Sequence, residues 1–164
     1  MIRGIHHVSV HVRDLDRMTE FYKEAFGFED TGFSGGWKDS PEIDEIVNVP
    51  NSAANSRMLI AGNCYLEIFR YSEPQPDDSS RPLKPFQHGY THFCVDVTDI
   101  EEEVERLKTL GMTFDRPHGP GKAVDVGIVK AIYGQDPEGN LIELQETSAS
   151  CEFDVKRLPK ATLA

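Results

Sequence analysis

A repeat at a spacing of 85 residues is the feature that most constrains how this chain can fold. The stretch GIHHVSVHVRD starts at residue 4 and the stretch GYTHFCVDVTD at residue 89. They share a glycine, a histidine three residues later, alternating apolar positions and a closing aspartate. His7 corresponds to His92 and Asp14 to Asp99. A single register aligns both pairs, so the sequence predicts two copies of one structural unit.

Each copy is predicted to begin with a strand followed by a helix. Residues 5–12 and 91–97 alternate between apolar and polar side chains, which is the pattern of half-buried strands. An aspartate then stands in the N-cap position, apolar residues recur at helical spacing, and a glycine ends the run. The capping aspartates are Asp14 and Asp99, and the closing glycines are Gly27 and Gly111.

Each copy is also predicted to end in two strands. Residues 57–61 and 64–71 flank a Gly-Asn pair, which is a strong hairpin signal. Residues 127–133 and 141–145 flank DPEGN, whose proline and glycine suit a tight turn. The order of strand, helix and strands therefore occurs twice.

These elements define a single domain over residues 1–147. Its first module is predicted at about 3–71 and its second at about 89–147, with a polar, proline-rich linker at 72–88. Residues 148–164 lose periodicity and are expected to form a tail that is disordered or packs on a partner.

The polar stretch 31–56 is longer than a connection between strands needs. It is predicted to be a loop with short strands, and loops of this length are commonly lids or pocket walls. Phe33, Trp37 and Lys38 are candidates to cover a substrate. The alternative for Trp37 is that it only anchors the loop to the body of the protein.

Side-chain alternation places one histidine and one glutamate of each copy on the face that points away from the helix. Burying a carboxylate is costly unless a cation compensates its charge. Two imidazoles and two carboxylates with room for water indicate an octahedral divalent metal site better than a closed tetrahedral zinc site. The polar sets on this face are His7, Ser9, His11 and Glu67 in the first copy and His92, Cys94, Asp96 and Glu143 in the second.

These motifs resemble the vicinal oxygen chelate superfamily, which contains glyoxalase I, methylmalonyl-CoA epimerase, extradiol dioxygenases and bleomycin- or fosfomycin-resistance proteins. The resemblance covers roughly residues 3–147 and rests on four pieces in order, IHHVSVHVRDLDRMTEFYKEAFGF, YLEIF, THFCVDVTDIEEEVERLKTLG and DPEGNLIELQE. It implies an α+β fold in which two βαβββ modules form a curled mixed sheet around a metal cleft. It also implies that His7, Glu67, His92 and Glu143 bind a divalent ion, either Ni, Co, Zn, Mn or Fe.

Other side chains near this pattern receive different interpretations. His6 competes with His7 for the first ligand position, but alternation turns His6 toward the helix, and His7 is the residue that aligns with His92. The remaining predictions are a pocket-wall or surface position for His11 and His88, a loop position for His118, and a soft, packed thiol for Cys94.

The resemblance implies a metal-dependent lyase, isomerase or epimerase of the glyoxalase I type. The reaction would transfer a proton through a metal-stabilised enediolate or enolate, with Glu67 and Glu143 as the catalytic carboxylates. Two alternatives stay open: a ring-cleaving extradiol dioxygenase, and a non-enzymatic protein that binds a small molecule or drug. A glutathione or coenzyme A moiety would need basic contacts, for which the candidates are Lys38, Arg57, Arg116 and Lys122.

The composition restricts the partners. A formal net charge of −11 argues against nucleic acid as a ligand. No apolar run approaches the ~18 residues of a membrane helix, and no signal segment precedes the first strand, so a cytoplasmic protein with a small-molecule substrate is expected. Three widely spaced cysteines predict reduced thiols. Exposed sheet edges favour a homodimer.

Overall fold

The computed structural model describes residues 4–77, 83–116 and 119–158. The chain divides into two compact units, of which the first is Gly4–Arg81 and the second contains Pro82–Ala164. Each unit holds one four-stranded mixed sheet and its own helix packed on that sheet.

The first unit has the order strand, helix, strand, short helix, strand, strand. Its sheet runs β1-β4-β3-β2, with β1 parallel to β4 and the other neighbours antiparallel. The bounds are β1 His7–His11, α1 Leu15–Phe26, β2 Glu29–Trp37, α2 Pro41–Val47, β3 Ala53–Ile60 and β4 Tyr65–Glu73.

The second unit repeats this plan. Its sheet runs β5-β10-β9-β8, with β5 parallel to β10, and a two-stranded ribbon of β6 and β7 follows its helix. Two mixed sheets, each with a strand and helix before three more strands, confirm the predicted pair of βαβββ modules. The bounds are β5 Phe93–Asp96, α3 Ile100–Thr109, β6 Asp115–Arg116, β7 Gly119–Pro120, β8 Val124–Asp125, β9 Val129–Gln135 and β10 Leu141–Thr147, with a 3-10 turn at Val155–Arg157.

Each helix buries one stripe against its own sheet. In the first unit α1 contacts β3 and β4, and it covers the fully buried Leu59, Leu66 and Ile68. In the second unit α3 contacts β10, where Ile142 and Leu144 are fully buried. Because neighbouring residues on a strand point to opposite faces, Glu67 and Glu143 lie on the uncovered face of their sheets.

The two helices begin differently, although the sequence predicts the same cap for both. Asp14 caps α1 as predicted, since its carboxylate accepts a hydrogen bond from the Arg17 N–H at 3.1 Å. Asp99 makes no such bond, so its predicted role as a cap is wrong. The carboxylate of Glu146 on β10 accepts the Asp99 and Ile100 N–H groups instead, each at 3.2 Å.

The long polar stretch 31–56 is mostly regular structure, which corrects the prediction of a loop. Strand β2 takes up its first part and β3 its last, and helix α2 lies between them. Asp44 organises the connection, because its carboxylate accepts the N–H groups of Asn51 and Ser52 at 2.7 and 2.8 Å. A prolyl residue at the first turn of α2 and several glycines in β2 obscured this pattern in the sequence.

Residues 148–158 make contacts within their own unit, and the predicted packing of the tail on a partner stays a prediction. The Ser148 N–H donates to the Ile128 carbonyl at 3.0 Å, and Cys151 is completely buried. All three cysteines are free thiols, as predicted. Among the described residues, no helix is both long enough and apolar enough to cross a membrane.

Candidate metal centre

In the first unit, His7 and Glu67 lie side by side on the uncovered face of the sheet. Parallel pairing sets His7 beside Tyr65 and Ser9 beside Glu67, so all four side chains share that face. The His7 Nε2 and Glu67 Oε2 atoms are 3.3 Å apart. Only 16% of the Glu67 side chain is exposed. The structure thus brings the predicted pair of this unit together.

The second unit repeats this arrangement with His92 and Glu143. Glu143 pairs with Cys94 across the parallel strands, which places it on the same face as His92 two residues earlier. The His92 Nε2 and Glu143 Oε2 atoms are 3.2 Å apart, and 19% of the Glu143 side chain is exposed. Each unit therefore presents one imidazole nitrogen and one carboxylate oxygen in matching positions.

The residue before each histidine fixes the orientation of its ring. His7 Nδ1 is 2.9 Å from His6 Nδ1, and His92 Nδ1 is 2.9 Å from Thr91 Oγ1. These contacts occupy Nδ1 and leave Nε2 directed toward the glutamate. His6 thus contacts His7 directly, a contact that alternation alone did not reveal, and the choice of His7 over His6 as the ligand stays a prediction.

The chemistry of each pair fits a divalent cation. Within the described residues, neither Glu67 nor Glu143 forms an ion pair with a lysine or arginine, and each has only a histidine as its basic neighbour. Neutral imidazole and carboxylate are suitable ligands for divalent ions such as Mn, Fe, Co, Ni and Zn. Within either unit, the described residues bring no third His, Cys, Asp or Glu into a group that could hold a metal ion.

Tyr133 extends the second pair, and sequence reasoning missed it. It stands opposite Glu143 in the antiparallel register of β9 and β10, and its hydroxyl lies 3.3 Å from His92 Nε2. Desolvation and the neighbouring Glu143 raise the pKa of Tyr133, so its phenol stays protonated. The DPEGN turn in the sequence sets the register of β9 and β10, so it could have been used to predict that Tyr133 lies opposite Glu143.

Cys94 shares the face of Glu143 but differs from the packed thiol that was predicted. The residue is exposed, although its immediate surroundings are poorly solvated. Desolvation, with the charges of Glu143 and Asp96, raises the pKa of the Cys94 thiol to about 12. The Cys94 thiol therefore stays protonated at neutral pH.

Trp37 is anchored to the body of the first unit and lies over its open face. Its indole N–H donates to Ser52 Oγ at 2.7 Å, and that hydroxyl donates to Asp44 Oδ1 at 2.6 Å. Its ring contacts Phe69 and Tyr71 on β4. These contacts show the anchoring role of Trp37, and its predicted role in covering a substrate stays a prediction.

The remaining predicted residues lie away from the two pairs. His11 packs on Tyr71 and accepts the Tyr71 N–H at Nε2, while His88 is exposed. Arg57 pairs with Asp16 on the helix side of the sheet, where it lines a cavity of about 480 Å³ with Arg13 and Arg70. Lys38 and Lys122 are exposed, and neither His118 nor the Arg116 side chain lies within the described parts of the chain.

Known proteins resemble this chain over most of its length. Residues 4–144 match the model of the Glyoxalase/Bleomycin resistance protein/Dioxygenase superfamily. The chain is 24% identical to a lactoylglutathione lyase from Pseudomonas aeruginosa, over 90% of this chain and 84% of the relative. It is 27% identical to the fosfomycin resistance protein FosX from Listeria monocytogenes, over 88% of this chain and 90% of that relative.

Solved structures share its fold. A glyoxalase family protein from Bacillus cereus matches with a TM-score of 0.75 at 23% identity, over 90% of this chain and 95% of that one. The Listeria monocytogenes FosX, solved in complex with Mn(II) and sulfate, matches with a TM-score of 0.57 at 19% identity, over 94% of this chain and 100% of that one.

Proposed function

The chain belongs to the Glyoxalase/Bleomycin resistance protein/Dioxygenase superfamily, and we propose that it is a divalent-metal-dependent enzyme that transfers a proton within a small substrate. The reaction is a lyase, isomerase or epimerase step of the glyoxalase I type. The observation that carries this proposal is the repeated pair, an imidazole Nε2 and a glutamate oxygen within 3.3 Å in each unit. An enzyme of this class needs both a cation site and a carboxylate base.

The proposed ligands of the cation are His7, Glu67, His92 and Glu143, supplied by one chain or by two copies of it. A divalent cation held there would supply Lewis-acid stabilisation of negative charge that develops on the substrate. Each unit contributes a neutral donor and an anionic donor, so the four side chains together carry two negative charges. That total matches the charge of a divalent ion.

Glu67 and Glu143 are the proposed acid and base. A carboxylate oxygen can take the proton from the carbon next to a carbonyl and return it to the neighbouring atom, which completes an isomerisation. Both carboxylates are mostly buried, so water competes weakly for the proton. The Tyr133 hydroxyl lies beside His92 and Glu143 and can donate a hydrogen bond to a substrate oxygen.

Metal titration tests the cation site. Purified protein is titrated with Ni(II), Co(II), Mn(II) and Zn(II) by calorimetry, together with Glu67→Gln, Glu143→Gln and, as a matched control on the exposed Glu152, Glu152→Gln. We expect each site variant to lose at least about tenfold in affinity for the preferred ion and the control to keep it. Equal affinity in all four proteins would contradict the proposed ligand set.

An isotope experiment tests the reaction. The metal-loaded protein is given the hemithioacetal of methylglyoxal in deuterium oxide, and the product is examined for thioester and for deuterium at the reacting carbon. Thioester supports the isomerisation, deuterium at the reacting carbon supports proton transfer, and both signals should fall in Glu67→Gln and Glu143→Gln. Oxygen uptake with a catechol would instead favour the dioxygenase, and tight ligand binding with no turnover would favour the binding protein.

We also propose that the protein acts as a homodimer. Strands β1 and β5 each form an edge of their sheet, and exposed edges are commonly covered by a second copy. Sedimentation velocity of the metal-loaded protein measures the mass in solution. A monomer at micromolar concentration would refute this part of the proposal.

A further inference from the structure

An aromatic cluster extends along the open face of the first sheet, beyond Glu67. The cluster is Trp37, Phe69, Tyr71 and His11, with ring centroids 5.5 to 5.8 Å from their neighbours. Phe69 and Tyr71 follow Glu67 at alternate positions of β4, so all three side chains share one face. The strand rise places Phe69 about 7 Å and Tyr71 about 13 Å along the strand from Glu67.

Hydrogen bonds hold the cluster in place. The Trp37 indole is tied through Ser52 to Asp44, and the His11 ring accepts the Tyr71 N–H at 3.0 Å. Trp37, Phe69 and Tyr71 are each partly exposed and therefore accessible to a ligand. A wall whose rings are already oriented loses little conformational entropy when a ligand binds.

The charge of this face is negative. The described side chains that the strand register places on it include Glu67 and no lysine or arginine. Arg57 pairs with Ile68 and Arg70 with Asn55, so both arginines point to the opposite side of the sheet. In the metal-free protein, an anionic substituent placed on the aromatic cluster would meet no lysine or arginine of these strands and would be repelled by Glu67.

We propose that the aromatic cluster is the specificity subsite for an uncharged, flat apolar group, such as a phenyl ring, on the carbon next to the reacting oxygens. This inference rests on the proposed function, because it takes Glu67 as the reacting end of the site. A ring attached directly to that carbon spans the distance to Phe69. Edge-to-face contacts with Trp37, Phe69 and Tyr71 then favour an aromatic substituent over a methyl group.

The single tryptophan makes the test direct, since Trp37 is the chain's only source of indole fluorescence. The metal-free protein is titrated with 1-phenylethane-1,2-diol, propane-1,2-diol and mandelate while this fluorescence is recorded. We expect the phenyl diol to bind about tenfold more tightly than the methyl diol. Mandelate, which has the same ring and a carboxylate, should bind severalfold more weakly than the phenyl diol.

Two matched variants complete the experiment. Phe69→Leu should remove most of the preference for the phenyl diol, whereas Phe86→Leu, at a residue 80% exposed in the second unit, should keep it. Equal binding of both diols, or tighter binding of mandelate, would overturn the inference. The diol titration uses metal-free protein, so its result does not depend on the metal titration or the isotope experiment. If either of those two experiments fails, the proposed function is contradicted, but the preference of the aromatic cluster can still be measured.

Discussion

The partner of each candidate ligand histidine offers a sharp test of the metal centre. His6 and Thr91 occupy equivalent positions in the two units and contact Nδ1 of His7 and His92. We predict that His6→Phe and Thr91→Val weaken metal binding, because each removes the hydrogen bond that keeps Nε2 directed at the glutamate. Both replacements keep much of the side-chain volume, and Thr91→Val is nearly isosteric.

The magnitude follows from the single contact that is lost. Each variant removes one Nδ1 contact of 2.9 Å, and partners of this kind typically contribute 10- to 100-fold in metal affinity. This corresponds to about 1.4 to 2.7 kcal/mol per variant. Because both histidines are proposed ligands of one ion, the double variant should show coupling between the two effects and not simple additivity.

The internal repeat supplies the matched control. His6→Thr places in the first unit the residue that the second unit already uses, and its hydroxyl can take the same hydrogen bond. Calorimetric titration with the preferred metal should show near-normal affinity for His6→Thr and reduced affinity for His6→Phe. The reasoning is refuted if His6→Thr and His6→Phe behave alike, or if neither Phe nor Val changes the affinity.

Three further predictions concern single side chains. Glu146→Ala should lower the free energy of unfolding by about 1 to 2 kcal/mol in urea titrations, since two N–H groups at the start of α3 lose their acceptor, while Glu152→Ala should leave it unchanged. Cys94 should react with iodoacetamide at pH 8 at least about a hundredfold more slowly than a free thiol, because its pKa is raised to about 12, and Glu143→Gln should speed the reaction. Hydrogen bonds from Ser52 and Asn51 lower the pKa of Asp44 from its ordinary 3.8, so the stabilisation is present above pH 3.8 and lost as pH falls through the lower folded value. Trp37 fluorescence should shift in that acid range and, in Asp44→Ala, already at pH 7.

The sequence predicted the elements whose determinants are local. Asp14, the apolar stripe of α1 and Gly27 lie within a few residues of one another, and the structure shows the expected helix with Gly27 at φ 66°. Strand alternation predicted which face holds Glu67 and Glu143, because a period of two leaves only two choices. The repeat added the equivalence of His7 and His92, which neither stretch shows alone.

What escaped prediction depends on contacts between distant residues. The hydrogen bond that the Ser52 hydroxyl donates to Asp44 holds the connection after α2, and no local sequence pattern predicts it. Asp99 looked like a cap because its position matches Asp14, but the acceptor that replaces it comes from another strand. Tyr133 lies beside His92 because β9 pairs with β10 and β10 pairs with β5, and both registers are needed to predict this contact.

The unequal starts of α1 and α3 have a consequence for the order in which the chain matures on the ribosome. The carboxylate of Asp14, which caps α1, lies three residues before its donor, the Arg17 N–H. This hydrogen bond can therefore form as soon as the segment leaves the exit tunnel. The acceptor for α3 arrives 46 to 47 residues after its donors. The cap hydrogen bond of α1 can therefore form locally, whereas α3 obtains its acceptor only with the last strand, and a nascent chain truncated before Glu146 leaves two amide groups of α3 without this acceptor.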